Sequence, residues 1–251
     1  MTPQNLWFWG YFVFTNVAVK SSLDFSRFRV ITFDCYGTLV DWETGILNAL
    51  RPILSAPGAI LESVEILRLY GDLEALAEAS EYRPYREVLK DVVRGFGDRL
   101  GFSATPGEQQ SLPDSLATWK PFPDTVASLR KLKTKFKLGI ISNVDDDLFS
   151  ATASQLEIGF DYVTTAGQAR AYKPSLEIFR LAQKKMNTPS EQWLHAAQSI
   201  YHDVIPAKSL GISTVWVNRP SQRPGAGAAQ KASAAPDVEV SSLAELAQLA
   251  I

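Results

Sequence analysis

A single cysteine, Cys35, occurs in 251 residues, and one thiol cannot close a disulfide within the chain. That fits a reducing, cytoplasmic compartment. Neither sign of charge is in excess: 25 Lys and Arg stand against 27 Asp and Glu, a net charge of −2, with no basic run. Nucleic acid, which needs a basic face, is disfavoured as a partner. Long apolar runs are missing too. The most apolar stretch, Leu6-Trp7-Phe8-Trp9-Gly10-Tyr11-Phe12-Val13-Phe14, has no positive residue before it, and even extended to Val19 it is too short to span a bilayer. Residues 1–22 are expected to lie outside the fold, as a tail, a partner-binding segment or sequence translated upstream of the true start; a signal peptide fits them poorly and no membrane partner is expected. No internal repeat is visible.

What is present is 46% hydrophobic residues, enough for one substantial α/β core plus an insertion. Short β-prone runs occur at 30–33, 137–142, 160–165, 193–199, 213–217 and 238–240, with helical patterns between most of them. Strands separated by helices imply a doubly wound parallel sheet. From Trp42 to about Pro121 the apolar residues recur at three and four, as in Ile46, Leu47, Leu50 and Leu54, so a helical insertion is expected over 42–121, with the α/β core at 23–41 and 122–251. Residues 220–236, rich in Pro, Gly and Ala, read as a loop.

Four segments carry the chemistry. Val30-Ile31-Thr32-Phe33-Asp34-Cys35-Tyr36-Gly37-Thr38 sends a carboxylate off the end of a buried strand into a tight turn, which is how a covalent nucleophile is displayed. Gly37 and Thr38 are expected to bend the backbone so that its amides face Asp34. Lys137-Leu138-Gly139-Ile140-Ile141-Ser142-Asn143 places Ser142 and Asn143 at the carboxyl edge of a second strand, where ligands collect in open α/β sheets, and Asp145, Asp146 and Asp147 suit the helix start that follows. Lys173 precedes the helix start marked by Pro174 and Ser175, where an ammonium can keep a nucleophilic carboxylate ionised. Trp193-Leu194-His195-Ala196-Ala197-Gln198-Ser199 reads as a further buried strand, and Asp203 in the turn after it is a second carboxylate at the same sheet edge. Cys35 reads as a small apolar strand-end residue.

In order and context these four segments resemble the haloacid dehalogenase superfamily, from about Phe28 to the C-terminus. Superfamily phosphatases place a second Asp two residues after the nucleophile and an acidic magnesium ligand in the last motif. Tyr36 and Gln198 stand at those positions here. A phenol with an ordinary pKa of ~10 is a poor acid at neutral pH, and an uncharged amide adds little to a hard cation's shell. The D-x-Y-G-T pattern is instead similar to the type II (S)-2-haloacid dehalogenases, which displace halide from carbon without a metal. The resemblance implies catalytic roles for Asp34, Thr38, Lys173 and Asp203, substrate contacts from Tyr36, Trp42, Ser142, Asn143 and Ser199, a helical cap made by the insertion, and no metal or cofactor. The expected function is hydrolysis of a small 2-substituted carboxylic acid through an aspartyl ester, and a homodimer is left open.

Departures from that family bear on the substrate. Its helical arginine has no clear counterpart, with Arg68 the nearest and a solvated helix face the safer reading. Ile200 stands where an Asn is usual, and Phe179 where a Tyr is common. The segments Asp41-Trp42-Glu43-Thr44-Gly45-Ile46 and Ser199-Ile200-Tyr201-His202-Asp203 look more like a branch that includes azetidine-2-carboxylate hydrolase. Trp42 and Trp119 are expected to line the closed pocket. A phosphatase and a non-catalytic binding protein are the remaining alternatives.

Overall fold

The structure is a computed structural model that describes residues 23–55, 58, 60–79, 81–221 and 228–251. The proposed extension at 1–22 and part of the Pro, Gly and Ala-rich loop, 222–227, lie outside the described residues.

Six strands, β1 (Val30–Phe33), β2 (Lys137–Ser142), β3 (Tyr162–Thr165), β4 (Trp193–Ala197), β5 (Ser213–Val217) and β6 (Val238–Val240), form one sheet in the order β3-β2-β1-β4-β5-β6, and every pairing is parallel. β1 and β4 are buried at every residue and β2 at all but Lys137, as strands covered on both faces must be. Their apolar runs therefore carry no alternation. The third strand begins at Tyr162, two residues later than expected, because Asp161 turns its carboxylate onto Leu138 N (2.9 Å) and Lys137 Nζ (2.9 Å).

Between β1 and β2 lie α1 (Trp42–Ser55), α2 (Ser63–Glu78), α3 (Tyr85–Leu100), α4 (Pro106–Ser115) and then α5 (Thr125–Lys133). α2 and α4 each open with a reciprocal capping box, Glu62 with Glu65 and Thr105 with Glu108. α3 has no local cap. Its free amides at Tyr85 and Arg86 donate instead to the Asp145 carboxylate (both 2.9 Å), which precedes α6 (Asp146–Ala153) and so ties the inserted helices to the sheet edge. Asp145 thus serves another helix, not its own.

α7 (Ala166–Ala169), α8 (Leu176–Met186), α9 (Ile205–Ser209) and α10 (Leu243–Ala250) complete the chain. Asp124, just before α5, makes no side-chain cap there and bonds Arg219 Nη1 (2.7 Å) and the amide of Ala244 (3.0 Å). The architecture is the expected α/β doubly wound parallel sheet with a helical cap. Successive connections run outward from β1 on one side and from β4 on the other, so the sheet's topological switch lies where β1 meets β4, and a crevice opens at their carboxyl ends.

Candidate active site

Asp34 follows β1 directly and keeps the ladder, its amide donating to Ala196 O (3.2 Å). The next six residues form a closed turn: the Cys35 carbonyl accepts from the amides of Thr38, Leu39 and Val40, and Gly37 N donates to Val40 O (2.8 Å). The expectation that the Gly37 and Thr38 amides face the Asp34 carboxylate is therefore corrected, since both are consumed inside the turn. What reaches Asp34 is the Thr38 hydroxyl, donating to Oδ2 (2.8 Å), while that hydroxyl oxygen accepts from Gln198 N (2.9 Å). Glycine is required at 37 because φ is +91° and a Cβ would meet the Trp42 indole nitrogen at 2.8 Å.

Lys173 supplies the other half of the site. Its Nζ donates to Asp34 Oδ1 (2.8 Å), Asp203 Oδ1 (2.7 Å) and Ile141 O (3.1 Å), so all three ammonium protons are used. The side chain is 2% exposed, Asp34 7% and Asp203 0%. Burial pushes the Asp34 carboxyl above its ordinary value against the pull of Lys173, with nearby Asp203 adding to the rise. Asp203 is held below its ordinary value, because Lys173 and His195 together outweigh burial. The Lys173 ammonium, which burial alone would disfavour, is favoured overall because it faces two carboxylates while those two share one ammonium.

His195 stands behind this triad and was not singled out from sequence. Its Nε2 meets Asp203 Oδ1 (2.9 Å) and its Nδ1 meets Thr32 Oγ1 (2.8 Å), which in turn accepts from Trp193 Nε1 (2.7 Å). The carboxylate requires a proton on Nε2, so Thr32 donates to Nδ1 while accepting from Trp193, and both imidazole nitrogens are satisfied. Phe179, in the place of the family's tyrosine, packs edge-on against His195 (5.3 Å). Arg219 was also missed: its Nε and Nη2 hold the Thr38 carbonyl (3.1 and 3.0 Å) from the far end of β5.

A cavity of about 40 Å³ opens beside Asp34, lined by Tyr36, Trp42, Ser142, Asn143, Gln198 and Ser199 together with Lys173 and Asp203. On that measure one water takes ~10–15 Å³, so the space suits a molecule of few heavy atoms. Ser142 Oγ is buried there without a hydrogen-bond partner among the described residues. Asn143, expected to hold substrate, has its amide closed on the Lys173 backbone, accepting from N (2.7 Å) and donating to O (3.2 Å). It fixes the Lys173 loop. The Ser199 hydroxyl accepts from His202 N (3.0 Å), and the Tyr36 hydroxyl meets Thr152 Oγ1 (2.9 Å), leaving its ring to the cavity.

Trp119 is corrected from pocket wall to packing residue: it lies against Tyr36 and so close to Gly45 that a Cβ there would meet its ring at 2.5 Å. Arg68 pairs with Asp72 (3.5 Å) on an exposed face, as the safer reading had it. The wall facing Asp34 from α2 and α3 holds Glu74, Glu78 and Tyr85, which sequence periodicity did not mark. A larger groove of about 600 Å³ on the cap, lined by Leu73, Leu76, Asp91 and Arg94, contains none of the sheet-edge groups.

Among the described residues no cluster of three His, Cys, Asp or Glu is placed to hold a metal. The magnesium of the superfamily's phosphatases does not fit these residues. An ammonium bridges Asp34 and Asp203, and Gln198 adds no charge. The Cys35 thiol, buried and pushed far up by that burial, is no nucleophile. No helix among the described residues is long and apolar enough to cross a membrane.

The chain is similar to known proteins over most of its length. The chain is 26% identical over 219 residues to an (S)-2-haloacid dehalogenase of Pseudomonas putida, covering 86% of this chain and 93% of that one. It is 32% identical over 203 residues to a glyceraldehyde 3-phosphate phosphatase of Methanothermobacter thermautotrophicus, covering 76% and 85%. The structure of an L-2-haloacid dehalogenase from Xanthobacter autotrophicus with chloropropionic acid covalently bound has the same fold, with a TM-score of 0.75 at 19% identity over 88% of this chain and 98% of that one. A family model for haloacid dehalogenase-like hydrolases matches residues 28–211, and the chain belongs to that family.

Proposed function

We propose that the protein is a metal-independent hydrolase acting at an sp3 carbon of a small 2-substituted carboxylic acid, with Asp34 as covalent nucleophile and dehalogenation as the leading reaction. The observation that carries this is the Lys173 ammonium bridging Asp34 and Asp203, with the Tyr36 phenol and the uncharged Gln198 as their neighbours in the cavity. Tyr36 and Gln198 stand in place of the leaving-group acid and a metal ligand, and halide leaves without a proton. The (S)-2-haloacid dehalogenase relative and the chloropropionate-bound Xanthobacter enzyme support the same reading by their names.

The Asp34 carboxylate attacks the carbon, the carbon–halogen bond breaks, and halide departs with the electron pair, leaving an ester. Water then attacks the Asp34 carbonyl. Asp203 Oδ2, buried and without a hydrogen-bond partner among the described residues, takes a proton from that water and returns it to the departing alkoxide, so the alcohol leaves and the Asp34 carboxyl, freed of the ester, gives up its own proton to solvent. The unpartnered Ser142 hydroxyl receives the substrate carboxylate, and Trp42 and Tyr36 wall the cavity.

Chloride release from (S)-2-chloropropionate that survives exhaustive chelation is the expected result. Phosphate release from glyceraldehyde 3-phosphate only with magnesium, and no halide release, would move the protein to the phosphatases, which the 32% identical relative makes a fair control. Ring opening of azetidine-2-carboxylate is the second reading, favoured by the two carboxylates on α2, and amine release from that acid scores it.

The pH profile follows from Asp34. Its carboxyl is raised above 3.8, so the ionised nucleophile is lost as pH falls through that raised value, and kcat/KM is expected to decline on an acidic limb lying above the ordinary aspartate range. A flat profile down to pH ~4 would contradict the buried environment assigned to Asp34.

A further inference from the structure

We infer that His195 is a positioning residue for ester hydrolysis: its Nε2–H and the Lys173 ammonium converge on one oxygen of Asp203 and so keep the other for the water that attacks the Asp34 ester. The inference rests on the reading of Asp203 as the base of that step. It gives a role to a side chain outside the cavity lining.

His195 and Thr32 face each other across the β1–β4 ladder, and Trp193 lies two residues before His195 on the same face of β4. All three are buried, and the Phe179 ring meets the imidazole edge-on at 5.3 Å. Polar groups inside a sheet are costly unless paired, and these are paired in one direction only. Trp193 Nε1 can only donate, and it donates to Thr32 Oγ1 (2.7 Å), so the single hydroxyl proton of Thr32 is left for His195 Nδ1 (2.8 Å). A nitrogen that accepts carries no proton. The ring therefore holds its proton on Nε2, which donates to Asp203 Oδ1 (2.9 Å).

Asp203 Oδ1 accepts a second time, from Lys173 Nζ (2.7 Å), while Oδ2 has no hydrogen-bond partner among the described residues. A lysine alone does not impose that division. One ammonium can sit astride both oxygens of a carboxylate, and the group turns about its Cβ–Cγ bond at small cost. Two donors on separate elements, His195 on β4 and Lys173 in the loop before α8, pin one oxygen and with it the plane of the group. The lone pairs of Oδ2 stay free. Buried polar atoms are ordinarily satisfied, and Asp203 lines the same cavity as Asp34, so the bare oxygen is where the hydrolytic water can give up its proton.

His195 itself exchanges no proton in this step. As the water oxygen bonds the Asp34 carbonyl carbon, one water O–H bond breaks, its proton goes to Asp203 Oδ2, and from there it passes to the departing alkoxide. Thr32 and Trp193 need only hold the imidazole tautomer. Attack of Asp34 on the substrate carbon makes no call on Oδ2. Loss of His195 is therefore expected to slow the second step and spare the first.

Single turnovers of the full chain with (S)-2-chloropropionate follow both steps, chloride reporting the first and the intact mass of the quenched protein reporting the ester. His195→Leu should release chloride at the wild-type rate and accumulate the ester, with hydrolysis slowed at least ~10-fold out of the ~10²–10⁴-fold that a positioned general base supplies. His195→Gln, whose side-chain amide can donate to Asp203 from a similar place, should restore hydrolysis. Thr32→Val, which takes the donor from Nδ1, should slow the same step by a smaller factor, and it carries the test if His195→Leu loses its thermal unfolding transition. Nitrogen NMR of the chain, which has 2 histidines, reads the tautomer without substrate, and a proton on Nε2 alone is expected for His195. Ester hydrolysed at the wild-type rate by folded His195→Leu, both steps slowed alike, no recovery in His195→Gln, or a proton on Nδ1 would each overturn the inference. Wild-type protein that releases no chloride and forms no ester would remove the reaction and the inference with it, a failure told apart from the others because His195 would still carry its proton on Nε2.

Discussion

Asp34→Asn is expected to abolish turnover, by at least ~10⁴-fold, while the protein stays folded. The amide keeps the size of the carboxylate and can still accept from Thr38, but it has no charge to share with carbon. Lys173 retains Asp203 and the Ile141 carbonyl in the variant, so the buried ammonium is not stranded. Loss of activity would then report chemistry and not unfolding, provided the thermal transition is retained. The mechanism adds a second signature. In a single turnover in heavy-oxygen water, the wild-type ester is cleaved at the enzyme's own carbonyl, so the label enters the Asp34 peptide and the product carries an oxygen that came from Asp34. Label found only in the product would show that water attacks the substrate directly, with Asp34 acting as a base.

The parts of this site that could be read from sequence are those whose role depends on position along a strand. Asp34, Ser142 and Gln198 follow runs such as Val30-Ile31-Thr32-Phe33 that are apolar without alternation, and a central parallel strand must be so. Once those strands lie side by side, their ends meet. Glu74 and Glu78 depend on something else: a glutamate in an amphipathic helix reads as solvated until the packing of α2 turns its face onto the sheet edge. His195 and Thr32 become partners only through the β1–β4 register, which a single strand does not disclose. Arg219 reaches the Thr38 carbonyl across 181 positions of sequence, and Asp145 caps a helix 60 residues away. The amides of Gly37 and Thr38 went to closing their own turn, which is satisfied locally before any side chain competes for it.

Lys173→Met is expected to lower the rate by at least ~10²-fold, as removal of one preorganised electrostatic contact does. The reason lies in what remains. Without the ammonium, Asp34 and Asp203 face one another, buried, with no cation between them, and breaking a buried pair in this way costs ~3–5 kcal/mol unless one carboxyl takes a proton. Asp34 is already raised by burial and Asp203 is held low by Lys173, so the deletion pushes both upward. Two measurements should move together. The acidic limb of kcat/KM should shift to higher pH, because the nucleophile now loses its charge sooner on acidification. Stability should change its slope: in the wild type the depressed Asp203 contributes stability that is present above its ordinary value and lost as pH falls through the depressed one, whereas in the variant the raised carboxylates make the folded state more stable as pH falls from neutral. Methionine is close to lysine in length and unbranched, so lost packing does not account for either shift. A near-normal rate with an unmoved limb would return Lys173 to the role of a loop residue that happens to lie between two acids.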